Sequence, residues 1–230
     1  MENTTFYIQS ISISALPILL AIVLHEVAHG WVADKLGDPT AKLAGRLTLN
    51  PIPHIDLFGT IILPLLLLIS RVGILFGWAK PVPVNPYNLR DPRKGMLWVA
   101  AAGPVTNFAM ALGSALLLRI LNFLNPGLLH ISSTMAGKFS LGSSILHPLA
   151  LMCLASIQIN IILGLFNLIP IPPADGGRIM VGILPMKQAE VYSKIEPFGM
   201  VLLFAVIIFE RYAEILSRMI LFLTRLLLWI

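Results

Sequence analysis

From position 8 to position 24 the sequence IQSISISALPILLAIVL carries no charged residue, and it runs directly into His25-Glu26-Val27-Ala28-His29. A backbone in hydrocarbon has no water to satisfy its N–H and C=O groups, so such a run must fold as a helix. On a helix, residues four apart lie about 40° apart around the axis and ~6 Å apart along it. His25 and His29 therefore point the same way, with Glu26 beside them. Ionisable groups at the end of a membrane-type segment are costly, and by default they mark a functional site. The H-E-x-x-H spacing is the one in which two imidazoles share a Zn²⁺ ion and the glutamate acts as general base toward the attacking water.

The composition agrees with a membrane setting. Hydrophobic residues make up 57% and charged residues 12% of the 230, with a mean hydropathy of +0.87, against roughly a quarter charged in soluble domains. The chain reads as one integral membrane domain over 1–230, with a core at 7–180 and accessory helices at 195–230. The net charge of +5 falls in the connections between apolar runs, so it reports topology and not a nucleic-acid surface. The single cysteine, Cys153, excludes an intramolecular disulfide and reads as a helix-packing residue. No basic cluster precedes the first apolar run, so that run is expected to be a retained span and not a cleaved signal peptide.

Three spans are expected, at 7–33, 96–124 and 145–168. The run 57–78 is different: Pro64 sits inside it, Arg71 interrupts it, and its uncharged part ends at Ser70. It is too short to cross a ~30 Å core comfortably and suits a re-entrant segment. Valines then alternate with prolines through Pro81-Val82-Pro83-Val84, which predicts an extended strand confined to a sheet edge. The tail holds short apolar runs at 198–209 and 215–230, enough for one or two C-terminal helices.

A third metal ligand must lie at the same membrane depth as His25 and His29. Asp175 follows the third span, in a backbone opened by Pro170, Pro172 and Pro173 and followed by Gly176-Gly177. With one antiparallel span between the first and third, the depths match, provided that 57–78 does not cross. The basic residues of positions 35–94 and 178–194 then share one side, leaving Lys138, with Arg119 and Arg211, for the other. That bias places the amino terminus outside and the site toward the cytoplasm of a multi-pass cell-membrane protein. Glu190, Glu196, Glu210 and Glu214 are alternative third ligands, while His54, His130 and His147 read as interfacial. Asn167, at the end of the third span, can donate its amide to a developing oxyanion. Asn107, near Gly103-Pro104, reads either as polar helix-packing glue or as a site residue.

Three motifs together, His25-Glu26-x-x-His29, Ala102-Gly103-Pro104-x-x-Asn107 and Asn167-x-x-Pro170-x-Pro172-x-x-Asp175-Gly176-Gly177, resemble the site-2 protease family of intramembrane zinc metalloproteases. The resemblance spans residues 15–180. It implies one Zn²⁺ held by His25, His29 and Asp175, with Glu26 as base and Asn167 close to the metal. It implies that 77–86 forms a short β-hairpin holding a transmembrane protein substrate as an added strand; Val82 and Val84 of that stretch, with Asn107, are the candidate substrate contacts. The expected fold is thus an all-α polytopic membrane protein: three core transmembrane helices around a zinc site, a re-entrant segment, a short β-hairpin and the C-terminal helices. The alternative is a non-enzymatic membrane metal-binding or transport protein. It would need further ligands along a path across the bilayer, and the spans offer none.

Overall fold

The structure, a computed structural model, describes residues 2–70, 77–126, 128 and 141–229. Among these the chain is all-helical. Its α-helices in order are α1 (Glu2–Lys35), α2 (Thr40–Leu43), α3 (Leu63–Ser70), α4 (Pro92–Leu124), α5 (Leu141–Asn167), α6 (Asp175–Ile183), α7 (Met186–Ser193), α8 (Gly199–Ala213) and α9 (Ile215–Trp229). Four helical stretches are long and apolar enough to cross a bilayer: Ile11–Lys35, Pro92–Leu124, Ile145–Asn167 and Met186–Glu210. Three of these were expected. The fourth begins twelve positions before the apolar run at 198, because the polar α7 hid its start, and its path is broken around Pro197 between α7 and α8. The expectation of three core helices is therefore too few by this stretch.

The chain divides into two compact units. One comprises Met1–Ala21, Pro104–Ile169 and Pro197–Ile230, the other Ile22–Gly103 and Pro170–Glu196. In the first, Ala111, Ala115 and Leu118 of α4 pack with Ala150, Cys153, Ile157 and Ile161 of α5. Leu216, Ile220, Leu223 and Leu227 of α9 recur at helical spacing and close over this core. Cys153 is buried there, as a packing residue should be. A polar ladder runs through the same helices: Ser114 Oγ donates to Ser156 Oγ (2.8 Å), Asn160 Nδ2 to Ser156 O (2.9 Å), and Asn107 Nδ2 to Asn160 Oδ1 (2.8 Å). Tail helices α8 and α9 are separated at Glu214, whose φ of 52° is left-handed.

In the second unit the 57–70 segment begins as a wide π-helical turn, Leu57–Ile62, and continues as α3. Leu63 N–H reaches back to Phe58 O, five residues away. Pro64 next to it has no N–H to close an α-type bond, and its ring crowds the carbonyl of residue 60. Asp56 caps the start by accepting from Gly59 N (2.6 Å). The chain then comes back to that start: Trp78 N donates to Gly59 O (3.1 Å), and Thr60 Oγ1 to Trp78 O (2.8 Å). A Cβ on Gly59 would meet the Trp78 indole at 2.3 Å, so only glycine admits this closure.

The expected β-hairpin at 77–86 is corrected: no strand occurs among the described residues. Prolines at 81, 83 and 86 have no N–H to give to a ladder. The donors around them go to scattered acceptors: Lys80 N to His54 O (2.9 Å), Val82 N to Glu26 Oε2 (2.9 Å) and Asn85 N to Asp38 Oδ2 (2.7 Å). The segment is fastened to its surroundings one group at a time.

Candidate metal centre

The site lies within the second unit and is built on three helices. His25 and His29 sit one turn apart near the end of α1, and their Nε2 atoms are 3.0 Å apart. Asp175 opens α6, delivered by the turn in which Ala174 N donates to Ile171 O (3.0 Å) and Gly177 N to Ala174 O (3.0 Å). Its Oδ2 lies 3.1 Å from His25 Nε2 and 3.3 Å from His29 Nε2. A Cβ on Gly177 would strike Pro172 N at 2.3 Å, so this glycine lets the proline turn fold tightly behind the aspartate.

All three side chains are buried. Burial by itself would raise the Asp175 carboxyl, but the two imidazoles beside it outweigh that and hold it well below the usual carboxylate range. The start of a helix favours the same negative charge.

These residues fit a zinc ion. In a tetrahedral shell with bonds of ~2.0–2.1 Å the ligand atoms are about 3.3–3.4 Å apart, close to the observed sides of 3.0, 3.1 and 3.3 Å. Asp175 Oδ2 has no access to solvent and takes no well-aligned hydrogen bond, despite its nearness to both rings. A buried anionic oxygen in that condition calls for a cation. The donor set, two neutral nitrogens and one carboxylate, leaves a fourth position for water, as in catalytic zinc sites.

Two residues of α4 complete the setting, and the sequence reading had not placed either of them in the site. Val99 O accepts from His29 Nδ1 at 2.7 Å, which leaves the Nε2 lone pair for the metal. Gly103 faces the ligands directly. A Cβ there would stand 2.5 Å from His29 Nε2 and 2.6 Å from His25 Nε2, in the space a shared ion needs. Glycine inside the apolar 96–124 run, next to Pro104, was the available signal.

Glu26 is half-buried and bound to the Val82 N–H at 2.9 Å. Val82 is buried with Cγ1 against Gly30, and Val84 packs with Ala33, Leu89 and Val99. Both side chains face the protein. Asn107 and Asn167 belong to the first unit. Asn107 is fully buried and donates to Asn160 Oδ1 and to Ala21 O (3.3 Å), while Asn167 is half-buried and donates to Leu163 O (3.0 Å). Of the alternative ligands, Glu210 accepts from Ser217 N (2.8 Å) and Glu214 pairs with Arg218. His54 is buried with Nε2 at Thr48 O, His147 Nδ1 is at Leu128 O, and His130 lies outside the described residues. Among the described residues, His25, His29 and Asp175 form the group able to hold a metal.

A further buried carboxylate, Asp38, lies just beyond the end of α1 and was not singled out by the sequence. It accepts from Thr40 N (3.1 Å), Thr40 Oγ1, Asn88 Nδ2 (2.9 Å) and Asn85 N (2.7 Å). It thereby ties the end of α1 to the segment after Val84.

The model of peptidase family M50 matches residues 125–209. The chain is similar to the putative zinc metalloprotease YwhC of Bacillus subtilis (strain 168), with 41% identity over 182 residues, covering 76% of this chain and 74% of that protein. It is also similar to the zinc metalloprotease MJ0392 of Methanocaldococcus jannaschii, with 27% identity over 193 residues, covering 84% of this chain and 39% of that protein. No solved structure matches. Helices of membrane-spanning length, a buried His-His-Asp triangle beside a glutamate, and a relative matched over three quarters of its length agree, and the chain belongs to peptidase family M50.

Proposed function

We propose that this chain is an intramembrane zinc metalloprotease that hydrolyses peptide bonds in or near the transmembrane segments of membrane proteins. The observation that carries the reading is the buried triangle of His25, His29 and Asp175 with Glu26 one residue from its first member. Zinc held there supplies an acidified water and a Lewis acid for the scissile carbonyl. Glu26 takes the proton of the attacking water and returns it to the leaving amine. Asn167 is assigned to the oxyanion as a further hydrogen-bond donor.

A transmembrane helix conceals its carbonyls in its own hydrogen bonds, so substrate must unwind before it is cut. In this reading the 79–85 segment holds it extended. Because the Val82 and Val84 side chains are packed inward, the contact falls to the main chain. Pro81 and Pro83 offer carbonyls but no N–H, so the substrate is the donor. Asn107, being fully buried and engaged with Asn160 and Ala21, enters as helix-packing glue more than as a substrate contact.

The return of Trp78 to Gly59 supports a re-entrant 57–78. The parity of spans then sets His25 and Asp175 at one depth, and the charge bias sets that depth toward the cytoplasm, with the amino terminus outside. The decisive experiment is Glu26→Gln. Purified variant is expected to hold zinc at the wild-type stoichiometry and to lose cleavage of a membrane-spanning peptide; retained proteolysis would overturn the assignment. A metal-binding or transport role without catalysis predicts no cleavage by the wild type either.

A further inference from the structure

We propose that the main-chain N–H of Val82 is a positioning group for Glu26, so that the segment that takes up substrate also sets the orientation of the base. The inference rests on the reading of Glu26 as base and concerns a contact that the reading does not require. Glu26 and Gly30 lie one turn apart on α1, on one face of the helix. Val82 covers both. Its N–H donates to Glu26 Oε2 at 2.9 Å, and its Cγ1 lies so close over Gly30 that a Cβ there would meet it at 2.9 Å. Pro81 and Pro83 on either side have no N–H, so across 81–83 the one donor of the main chain is directed at Glu26.

The donor is held on a fixed frame. Before it, Arg46 Nη2 donates to Lys80 O (2.7 Å) and Lys80 N to His54 O (2.9 Å). After it, Asn85 N is bound to buried Asp38. A carboxylate turns freely about its last torsion unless one oxygen is fastened. With Oε2 fastened by a charge-assisted bond, Oε1 is left for the attacking water. General-base catalysis depends first on such geometry, and a docked substrate strand that presses on 79–85 acts on the base through the same bond.

The test replaces the Pro81–Val82 amide by an ester, using the α-hydroxy acid analogue of valine at position 82, in the full-length zinc-loaded enzyme. This removes the N–H and keeps the side chain. Cleavage of a membrane-spanning peptide is expected to lose about tenfold or more in kcat, with KM and bound zinc unchanged. An unchanged kcat, a change confined to KM, or loss of zinc would each overturn the proposal. An independent measurement is hydrogen exchange at the Val82 amide, expected to speed up about tenfold or more in Glu26→Ala because its acceptor is gone. Unchanged exchange sinks the positioning role alone. Proteolysis retained by Glu26→Gln sinks the reading of the base beneath it.

Discussion

The main-chain N–H of Trp78 donates to the carbonyl of Gly59 across 3.1 Å, so the chain that leaves at 57 comes back to the level at which it left. The re-entrant path proposed for 57–78 requires such a closure of its ends. Leu43 and Tyr87, on its two flanks, are 82% and 92% exposed. In a Cys153→Ala background, Leu43→Cys and Tyr87→Cys are expected to react with an impermeant maleimide from the same face of oriented vesicles, and labelling from opposite faces would refute the re-entrant path. Gly59→Ala, which drives a Cβ into the Trp78 ring, should weaken this closure and quicken proteolysis of the 57–78 segment.

Gly103→Ala places a methyl group between the two histidines. Zinc affinity is expected to fall about 100-fold, the scale seen when the support of a metal site is disturbed. Metal analysis of the purified variant checks this. Chelation of the wild type should likewise abolish cleavage, and added zinc should restore it, while chelation of the alanine variant should find little metal to remove.

Asp38 supplies a pH dependence remote from the metal. Burial alone would raise its carboxyl, but the bonds from Thr40, Asn88 and Asn85 prevail and lower it below its ordinary value. Its stabilising effect is therefore complete above the unfolded value of about 3.9 and is lost as pH falls through the lower folded value. Asp38→Asn is expected to cost about 2–3 kcal/mol at pH 7, as for hydrogen bonds to a charged group, and to flatten the acid limb of the stability profile. Thermal unfolding in detergent across pH 3–7 (roughly the range bracketing that value) reads both effects.

Asn160→Leu removes the middle of the ladder between α4 and α5 and leaves Asn107 without that acceptor. A loss of about 1 kcal/mol is expected, typical of hydrogen bonds between membrane helices. The same loss should follow Asn107→Leu, and the double variant should cost less than the sum, because both act on one bond.

The three residues that the fold brings together as a candidate metal site were legible because their signal is local or nearly so. His25 and His29 share a face by helical spacing alone, and Asp175 followed from counting spans. What remained hidden depends on the approach of chain segments far apart in sequence. Nothing in Val99 marks it as the carbonyl behind His29, and Gly103, though conspicuous as a glycine in an apolar run, does not by itself say that it faces the histidines. Asp38 carries no local sign of burial, since a Gly-Asp-Pro turn explains itself without it. The strand at 77–86 was an over-reading of alternation: valines and prolines do place their side chains in turn, but a ladder needs donors, and here the prolines lack them while Lys80, Val82 and Asn85 give theirs to His54, Glu26 and Asp38. The start of the fourth apolar stretch was obscured by the charges of Lys187, Glu190 and Lys194.

The ladder of Ser114, Ser156, Asn160 and Asn107 also decides how α4 and α5 find each other. Between two helices whose other contacts are mainly apolar side chains such as alanine, leucine and isoleucine, lipid competes well for every apolar surface, and sliding one helix past the other by a turn would change little. The polar side chains remove that indifference, because in hydrocarbon a hydroxyl or amide out of step has no water to turn to. One registration satisfies them together, and every neighbouring one strands them. The ladder thus serves as a key cut for a single position, and it is read while the helices assemble, before any substrate arrives.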